Sequence, residues 1–334
     1  MKHAPAGRGR VALIVAGPTC SGKSALAMAL ARQVNGTIIN TDSMQVYREL
    51  RILTARPDPH DEASVPHALY GVLPAAENGS VAWWRTQALA AAHAAWDAGR
   101  VPVFCGGTGM YYQALIHGLA DIPQPPPAIR EQAREMVARL GPGAVHALLH
   151  ERDPETASTL RPTDGQRIAR AWEVHAATGH GLAWWRREAV LPPLDARFIA
   201  MRLHPPRDEL RAAIARRFHD MLRHGALEEV GRLLEQDLSP ALPAMRAHGV
   251  PELAAVLRGD MTREAAAERA IRLTGQYTKR QATWFAHHPL AAPADSVVYE
   301  KRFENCATAQ QMERWTNKII SFVINRIDAG QGFP

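Results

Sequence analysis

The run Gly17-Pro18-Thr19-Cys20-Ser21-Gly22-Lys23-Ser24 fits the pattern GxxxxGK[ST]. It follows an apolar stretch, 11–16, and opens a helical stretch with an Ala/Leu face, 24–33. That pattern constrains the fold because it works in one context, where a buried strand turns around an anion and enters a helix. The glycines let backbone amides converge on phosphate oxygens, and the helix amino terminus adds partial positive charge. Lys23 supplies a point charge to the phosphates, and Ser24 a hydroxyl for magnesium. Loops of this nucleotide-binding kind commonly serve ATP-binding, yet the pattern itself specifies only a polyphosphate.

The rest of the chain supplies a matching frame. A second short strand is expected over 37–40, an alanine-rich helix over 82–99, and a third buried strand over 101–105. Strands alternating with helices predict an α/β fold, a parallel sheet with crossover helices. The run Pro123-Gln124-Pro125-Pro126-Pro127 breaks that alternation. Helical stretches follow over 128–140, 143–152 and 166–178, with Asp164 placed to cap the last and Gly179 to end it. Pro192-Pro193 closes the segment, a strand over 197–203 returns to the sheet, and helices are expected over 207–236, 249–258 and 263–285. The expected organisation is a P-loop core over 1–121, an inserted all-helical subdomain over 122–192 and core completion over 193–287. The tail, 288–334, is weakly patterned and receives no chemistry.

Composition narrows the class. With 334 residues, 46% hydrophobic and 22% charged, the chain has the balance of a globular protein,. No apolar run is long enough to span a bilayer. The first residues, 1–10, are basic and lead into a Gly-rich loop rather than a cleavage site, so no secretory signal and a cytoplasmic location are expected. Cys20, Cys105 and Cys306 form no CxxC pair, which argues against a zinc ribbon or a disulfide framework,. Cys20 is either a reactive thiol in the phosphate loop or a small filler. The net charge of +6 is carried by arginine, since lysine occurs only as Lys2, Lys23, Lys279, Lys301 and Lys318. Arginine grips phosphate bidentately and stacks on bases, which makes nucleic acid a candidate partner.

A nucleoside triphosphatase usually ends an apolar strand with an aspartate that helps hold magnesium. Here the third strand leads instead into Gly106-Gly107-Thr108-Gly109, and the acid is Asp42, at the end of strand two. Strand ends at the carboxyl edge of a parallel sheet face the ligand crevice, so Asp42 and Thr108 should face the polyphosphate. An acid, a hydroxyl and a phosphate cradle at one edge suit group transfer with a diphosphate leaving group. The structural alternative for Asp42 is a cap on Ser43 and Met44.

Taken together, these residues resemble the bacterial-type tRNA dimethylallyltransferases (isopentenyltransferases). The resemblance rests on GPTCSGKS at 17–24, TDSMQVYR at 41–48, TARP at 54–57, GGTGMYYQAL at 106–115, DGQRIARAWEV at 164–174, RRF at 216–218 before MLRHGALEEV at 221–230, and KRQATW at 279–284. It implies transfer of a dimethylallyl group from dimethylallyl diphosphate, with magnesium, to an adenine beside the anticodon of tRNA. It further implies Asp42 as general base, Thr108 opposite it at the reacting region, and Arg217 on the diphosphate. Gly17, Pro18, Thr19, Cys20, Ser21, Gly22, Lys23 and Ser24 form the diphosphate loop, with Ser24 the metal ligand. The tRNA anticodon stem-loop would be touched by Asp42, Ser43, Met44, Gln45 and Thr108, and from the insert by Gln166, Arg167, Ile168, Ala169 and Arg170. Lys279, Arg280 and Gln281 receive no target, and a monomer is expected.

The chain departs from the family pattern at Gly249-Val250-Pro251-Glu252, where a GYR motif is common, at Leu53, where glycine is common, and at Ala286. Two readings of the residues stay open beside the transferase. One is a P-loop small-molecule kinase, in which Asp42 activates an alcohol; the other is a nucleotide-dependent RNA-binding switch. For Arg167 and Arg170 the alternative is a solvated helix face with Arg170 paired to Glu173. For Trp83-Trp84 and Trp184-Trp185, packing is expected rather than base stacking.

Overall fold

The structure, a computed structural model, describes residues 9–303 and 309–330. Cys306 and the basic residues 1–8 lie outside the described residues. Along the chain the first unit opens with strand β1 (Val11–Ala16), helix α1 (Lys23–Gln33), strand β2 (Gly36–Asn40), helix α2 (Pro59–Ser64) and strand β3 (His67–Ala68). It continues with helix α3 (Val81–Asp97), strand β4 (Val101–Gly106) and the first part of helix α4 (Gly109–His117), whose last turn begins the second unit. The second unit holds strand β5 (Leu119–Ala120), helices α5 (Pro127–Leu140), α6 (Pro142–Arg152), α7 (Pro154–Ala157), α8 (Gly165–Thr178) and α9 (Leu182–Glu188), and strand β6 (Val190–Leu191). The first unit resumes with β7 (Arg197–Leu203), α10 (Arg207–Arg223), α11 (Ala226–Leu234), α12 (Val250–Leu257), α13 (Arg263–His287), β8 (Ser296–Tyr299) and α14 (Ala309–Gly330).

The large sheet has six strands in the order β3-β2-β4-β1-β7-β8, with every neighbouring pair parallel. Its central strand, β1, is covered on both faces, and Ala12 to Ala16 have no exposed surface, which is why it reads as one continuous apolar run,. Small residues let helices approach the sheet. In α3, Trp84, Ala88, Ala92 and Ala95 are all buried on one helical stripe, and Ser80 caps its start by accepting from Trp83 N–H,. The compact unit built on this sheet runs through Ala114 and resumes at Leu194; Leu115–Pro193 forms the second unit.

The second unit is helical around a core of Leu149, Ala157, Ala171, Val174 and Leu182, with the short antiparallel β5–β6 ladder where the chain enters and leaves it. Asp164 accepts from Arg167 N–H at the start of α8, and Gly179, at φ 73°, turns left-handed to end it,.

Two expectations are corrected. The helix expected over 207–236 is two helices, because Gly225 takes φ 96° and redirects the chain between α10 and α11. The tail is part of the core: β8 pairs in parallel with β7 from Ser296 to Tyr299. Ile319 and Val323 of α14 are fully buried in the same hydrophobic cluster as Leu26 and Leu30 of α1. Burying each contributes about 1.5–3 kcal/mol.

Candidate active site

The phosphate loop follows β1, and Gly22 caps α1 in the left-handed region at φ 88°. A Cβ there would lie 2.3 Å from the Phe303 carbonyl oxygen, so glycine is required by both conformation and space,. Cys20, also left-handed at φ 65°, is buried against Leu210, Ala213 and Ile214; it is a filler of the loop. Ser24 is exposed in the first turn of α1, its hydroxyl near Cys105. Burial pushes the Cys105 thiol up to about 11, partly offset by the Lys23 charge.

Asp42 is positioned by Asn40, the fully buried last residue of β2. The Asn40 Oδ1 accepts from Asp42 N–H at 2.8 Å, and its Nδ2 donates to the carbonyls of Asp42 and Leu69, each at 3.0 Å. The Asp42 Oδ1 in turn accepts from Met44 N–H at 3.0 Å. Asp42 therefore does cap Met44, and that bond engages one carboxylate oxygen. The Ser43 N–H donates to Thr108 Oγ1 at 3.0 Å, and Thr108 N–H donates to the Thr41 carbonyl at 3.1 Å. These bonds stitch the ends of β2 and β4 together, and they bring Asp42 and Thr108 to one edge.

A cavity of about 370 Å³ opens at that edge. Its lining is mixed, with Thr19, Asp42, Ser43 and Arg217 among the polar residues and Leu53, Ile214, Phe218 and Met221 among the apolar ones. A second cavity, about 350 Å³, is lined by Gly22, Lys23, Ser24, Arg216, Arg217 and Arg302. Arg217 belongs to both walls, so it stands between the phosphate loop and the chamber that holds Asp42.

Helix α13 closes the site with a polar stripe that no sequence motif marks in full. Thr274, Thr278 and Gln281 are buried, and Tyr277 lines the chamber between them. Gln281 accepts from Thr19 N–H and donates to the Gly107 carbonyl, both at 2.9 Å, joining the phosphate loop to the β4–α4 turn. A Cβ on Gly107 would sit 2.2 Å from Gln281 Nε2. The Tyr277 hydroxyl bonds with Thr108 and Gln281, and burial, then the Asp42 charge, pushes it up to about 12. Arg280 lies over the Tyr277 ring at 5.5 Å, and Lys279 is exposed. Burial, then Arg280, holds His248 in the chamber wall below the usual histidine range.

Two further side chains anchor the backbone of the chamber wall, Glu229 from a distant part of the chain and Gln45, an expected tRNA contact, from nine and ten residues away. Glu229, 4% exposed, accepts from Arg51, Ile52 and Leu53 N–H at 2.7–3.0 Å and so fixes the wall that carries Leu53 and Thr54. Gln45 donates to the carbonyls of Thr54 and Ala55 at 2.9 and 3.0 Å. The unusual Gly249-Val250-Pro251-Glu252 segment starts α12: Gly249 is left-handed at φ 97°, and buried Glu252 accepts from its N–H at 3.3 Å. Trp84 is core, stacked on Tyr111 at 4.1 Å. In the second unit, Arg170 is paired to Glu173 at 2.8 Å and Arg167 to Asp164 at 3.5 Å, the latter with three-quarters of its side chain exposed.

Among the described residues no cluster of three or more His, Cys, Asp or Glu could hold a metal ion, and no helix is long and apolar enough to cross a membrane.

Sequence comparison matches the family described as IPP transferase over residues 45–288 and that described as Isopentenyl transferase over 9–66. A tRNA dimethylallyltransferase of Gluconacetobacter diazotrophicus is 62% identical over the full length of both chains. One of Gluconobacter oxydans is 58% identical over 96% of each. Among solved structures, the full-length tRNA isopentenylpyrophosphate transferase of Bacillus halodurans is 28% identical, with a TM-score of 0.66 over 97% of this chain and 98% of that one. A eukaryotic dimethylallyltransferase acting on tRNA is 25% identical, with a TM-score of 0.76 over 94% of this chain and 80% of that one.

Proposed function

The chain belongs to the IPP transferase family, the tRNA dimethylallyltransferases, and from that premise we propose how its residues divide the work. The reaction is transfer of the dimethylallyl group from dimethylallyl diphosphate to adenine 37 of tRNA. The observation that carries the residue assignment is Arg217, whose side chain borders both the phosphate-loop cavity and the Asp42 chamber. A donor with its diphosphate in the first and its isoprenoid in the second has its breaking C–O bond beside that guanidinium.

The exocyclic amine of adenine is a poor nucleophile because its lone pair is delocalised into the ring. The allylic carbon compensates by ionising readily once charge on the departing diphosphate is stabilised, the part given to Lys23, Arg217 and the loop amides. As the C–O bond breaks, the new C–N bond forms, and the amine proton passes to Asp42. Met44 N–H holds Oδ1, so Oδ2 is the atom proposed to take the proton. Thr108, bonded to Ser43 and Tyr277, fixes the opposite side. The apolar lining residues Leu53, Ile214, Phe218 and Met221 receive the isoprenoid and keep water from the allylic carbon. A stacked adenine cannot enter such a chamber, so the base is flipped out of its loop.

Ser24, in the first turn of α1 and in the wall of the phosphate-loop cavity, has the hydroxyl that would hold magnesium beside the diphosphate,. The ion would supply neutralisation of the leaving group's charge. Contacts to the anticodon stem-loop are assigned to Asp42–Gln45 at the chamber and to Gln166–Arg170 in the helical unit. Calorimetry tests the donor assignment. Dimethylallyl diphosphate with magnesium should bind more tightly than ATP, and Lys23→Ala should weaken it. ATP as the tighter ligand, with turnover on a small alcohol, would favour the kinase reading.

A further inference from the structure

The segment after β8 carries no motif, yet it is folded onto the phosphate loop. Phe303 N–H donates to the Ser21 carbonyl at 3.0 Å, and Arg302 Nε–H donates to the Cys20 carbonyl at 2.8 Å. Phe303 is buried, in the same cluster as Ile319 and Val323 of α14, with its ring 5.1 Å from that of Trp315. Residues 302 and 303 thus lie along residues 20–22 as a strap, held by one backbone bond, one bond from the Arg302 side chain and the apolar packing of Phe303.

That placement puts Arg302 in the wall of the cavity that contains Lys23, Arg216 and Arg217. The only carboxylate in the same wall among the described residues is Asp220, which is already paired with Arg223. Lys23, Arg216, Arg217 and Arg302 thus line one cavity of about 350 Å³, and Arg302 comes to it from the tail. A diphosphate carries more charge than Lys23 and one arginine neutralise, and the guanidinium fork suits phosphate oxygens.

We infer that Arg302 is a diphosphate-binding residue, which the carboxyl-terminal strap delivers to the phosphate loop, in the wall of the cavity that also holds Lys23 and Arg217. The bond from Nε to Cys20 orients the guanidinium over the loop. The ligand class is the diphosphate shared by the donor substrate and the product. This inference rests on the reading of the cavity as the donor site, and it deepens that reading by giving the tail a task.

The test uses the full chain and inorganic diphosphate with magnesium as the probe, beside steady-state kinetics with dimethylallyl diphosphate and tRNA. Arg302→Ala should raise the dissociation constant for inorganic diphosphate, and the KM for the donor, by roughly ten- to a hundredfold, the range for one charge-assisted hydrogen bond. The KM for tRNA should stay near that of the parent, and the rate at saturating donor should fall less than the donor kcat/KM. Arg302→Lys, which keeps the charge but not the fork, should recover part of the binding. Unchanged diphosphate and donor constants in Arg302→Ala would overturn the inference. So would an Arg302→Lys variant as impaired as Arg302→Ala in both binding and melting temperature, because that pattern belongs to a strap pin. If the parent binds inorganic diphosphate through Arg302 but transfers nothing from dimethylallyl diphosphate, the donor reading fails and the anion site stands.

Discussion

Replacing Asp42 by asparagine separates its two tasks, because the structure shows one of them directly. Oδ1 accepts from Met44 N–H at 3.0 Å, and an asparagine oxygen can accept the same bond in the same turn,. The Asn40 bonds to the Asp42 backbone are also kept. Asp42→Asn should therefore unfold at the parent's temperature, whereas Asp42→Ala should be destabilised by about 0.5–1.5 kcal/mol, the worth of one hydrogen bond. Chemistry should respond differently. A positioned general base is worth about two to four orders of magnitude, or roughly 2.7–5.5 kcal/mol of barrier. Single-turnover transfer from saturating dimethylallyl diphosphate should slow by that factor in Asp42→Asn, with tRNA affinity little changed. A variant with near-parental single-turnover rates would refute the reasoning and leave Asp42 as a turn cap.

Replacing Arg167 and Arg170 together with alanine should weaken tRNA binding and flatten its salt dependence, by about 0.7–0.9 in log–log slope for each phosphate no longer neutralised. Donor affinity should be unchanged, and a double variant that binds tRNA like the parent returns both residues to their ion pairs with Asp164 and Glu173. Gln281→Leu orphans Thr19 N–H and the Gly107 carbonyl, at about 1–3 kcal/mol for each buried group left unpaired,. Thermal unfolding should register that penalty and the donor KM should rise, because Thr19 belongs to the phosphate loop; a normal donor KM would make Gln281 a purely structural bridge.

What can be read without the structure follows from where the information lies. The phosphate loop, β1 and α1 are legible because eight contiguous residues impose one strand–turn–helix geometry. Asp42 and Thr108 are legible as a pair because both follow buried strands, and parallel strands end at one edge. The cap at Asp164 and the stop at Gly179 are legible for the same local reason. Gln281 and Glu229 fall inside the KRQATW and MLRHGALEEV runs and Arg302 in no motif, yet the partners of all three are illegible: each bonds a backbone group more than a hundred residues away, and no local period encodes that. For Gln281 a hint exists in the polar run at helical spacing, Thr274, Thr278 and Gln281, on an otherwise apolar face of α13. The tail is opaque because β8 is a half-buried edge strand with no alternation, and among the described side chains of α14 only Ile319 and Val323 are buried. The break at Gly225 is visible as a residue, but only its left-handed φ shows that the helix ends there.

At the centre stands Arg217, through which this site joins a diphosphate cradle to an adenine chamber. The most direct measurement is transfer of label from dimethylallyl diphosphate to tRNA lacking the modification, with nucleoside mass spectrometry to locate the product and ATP as the control donor. One dimethylallyl group is expected on adenine 37, with diphosphate released in equal amount, and transfer nearly abolished in Arg217→Ala while tRNA still binds. Label transferred at the parental rate by Arg217→Ala, or phosphate moved from ATP in its place, would contradict that role.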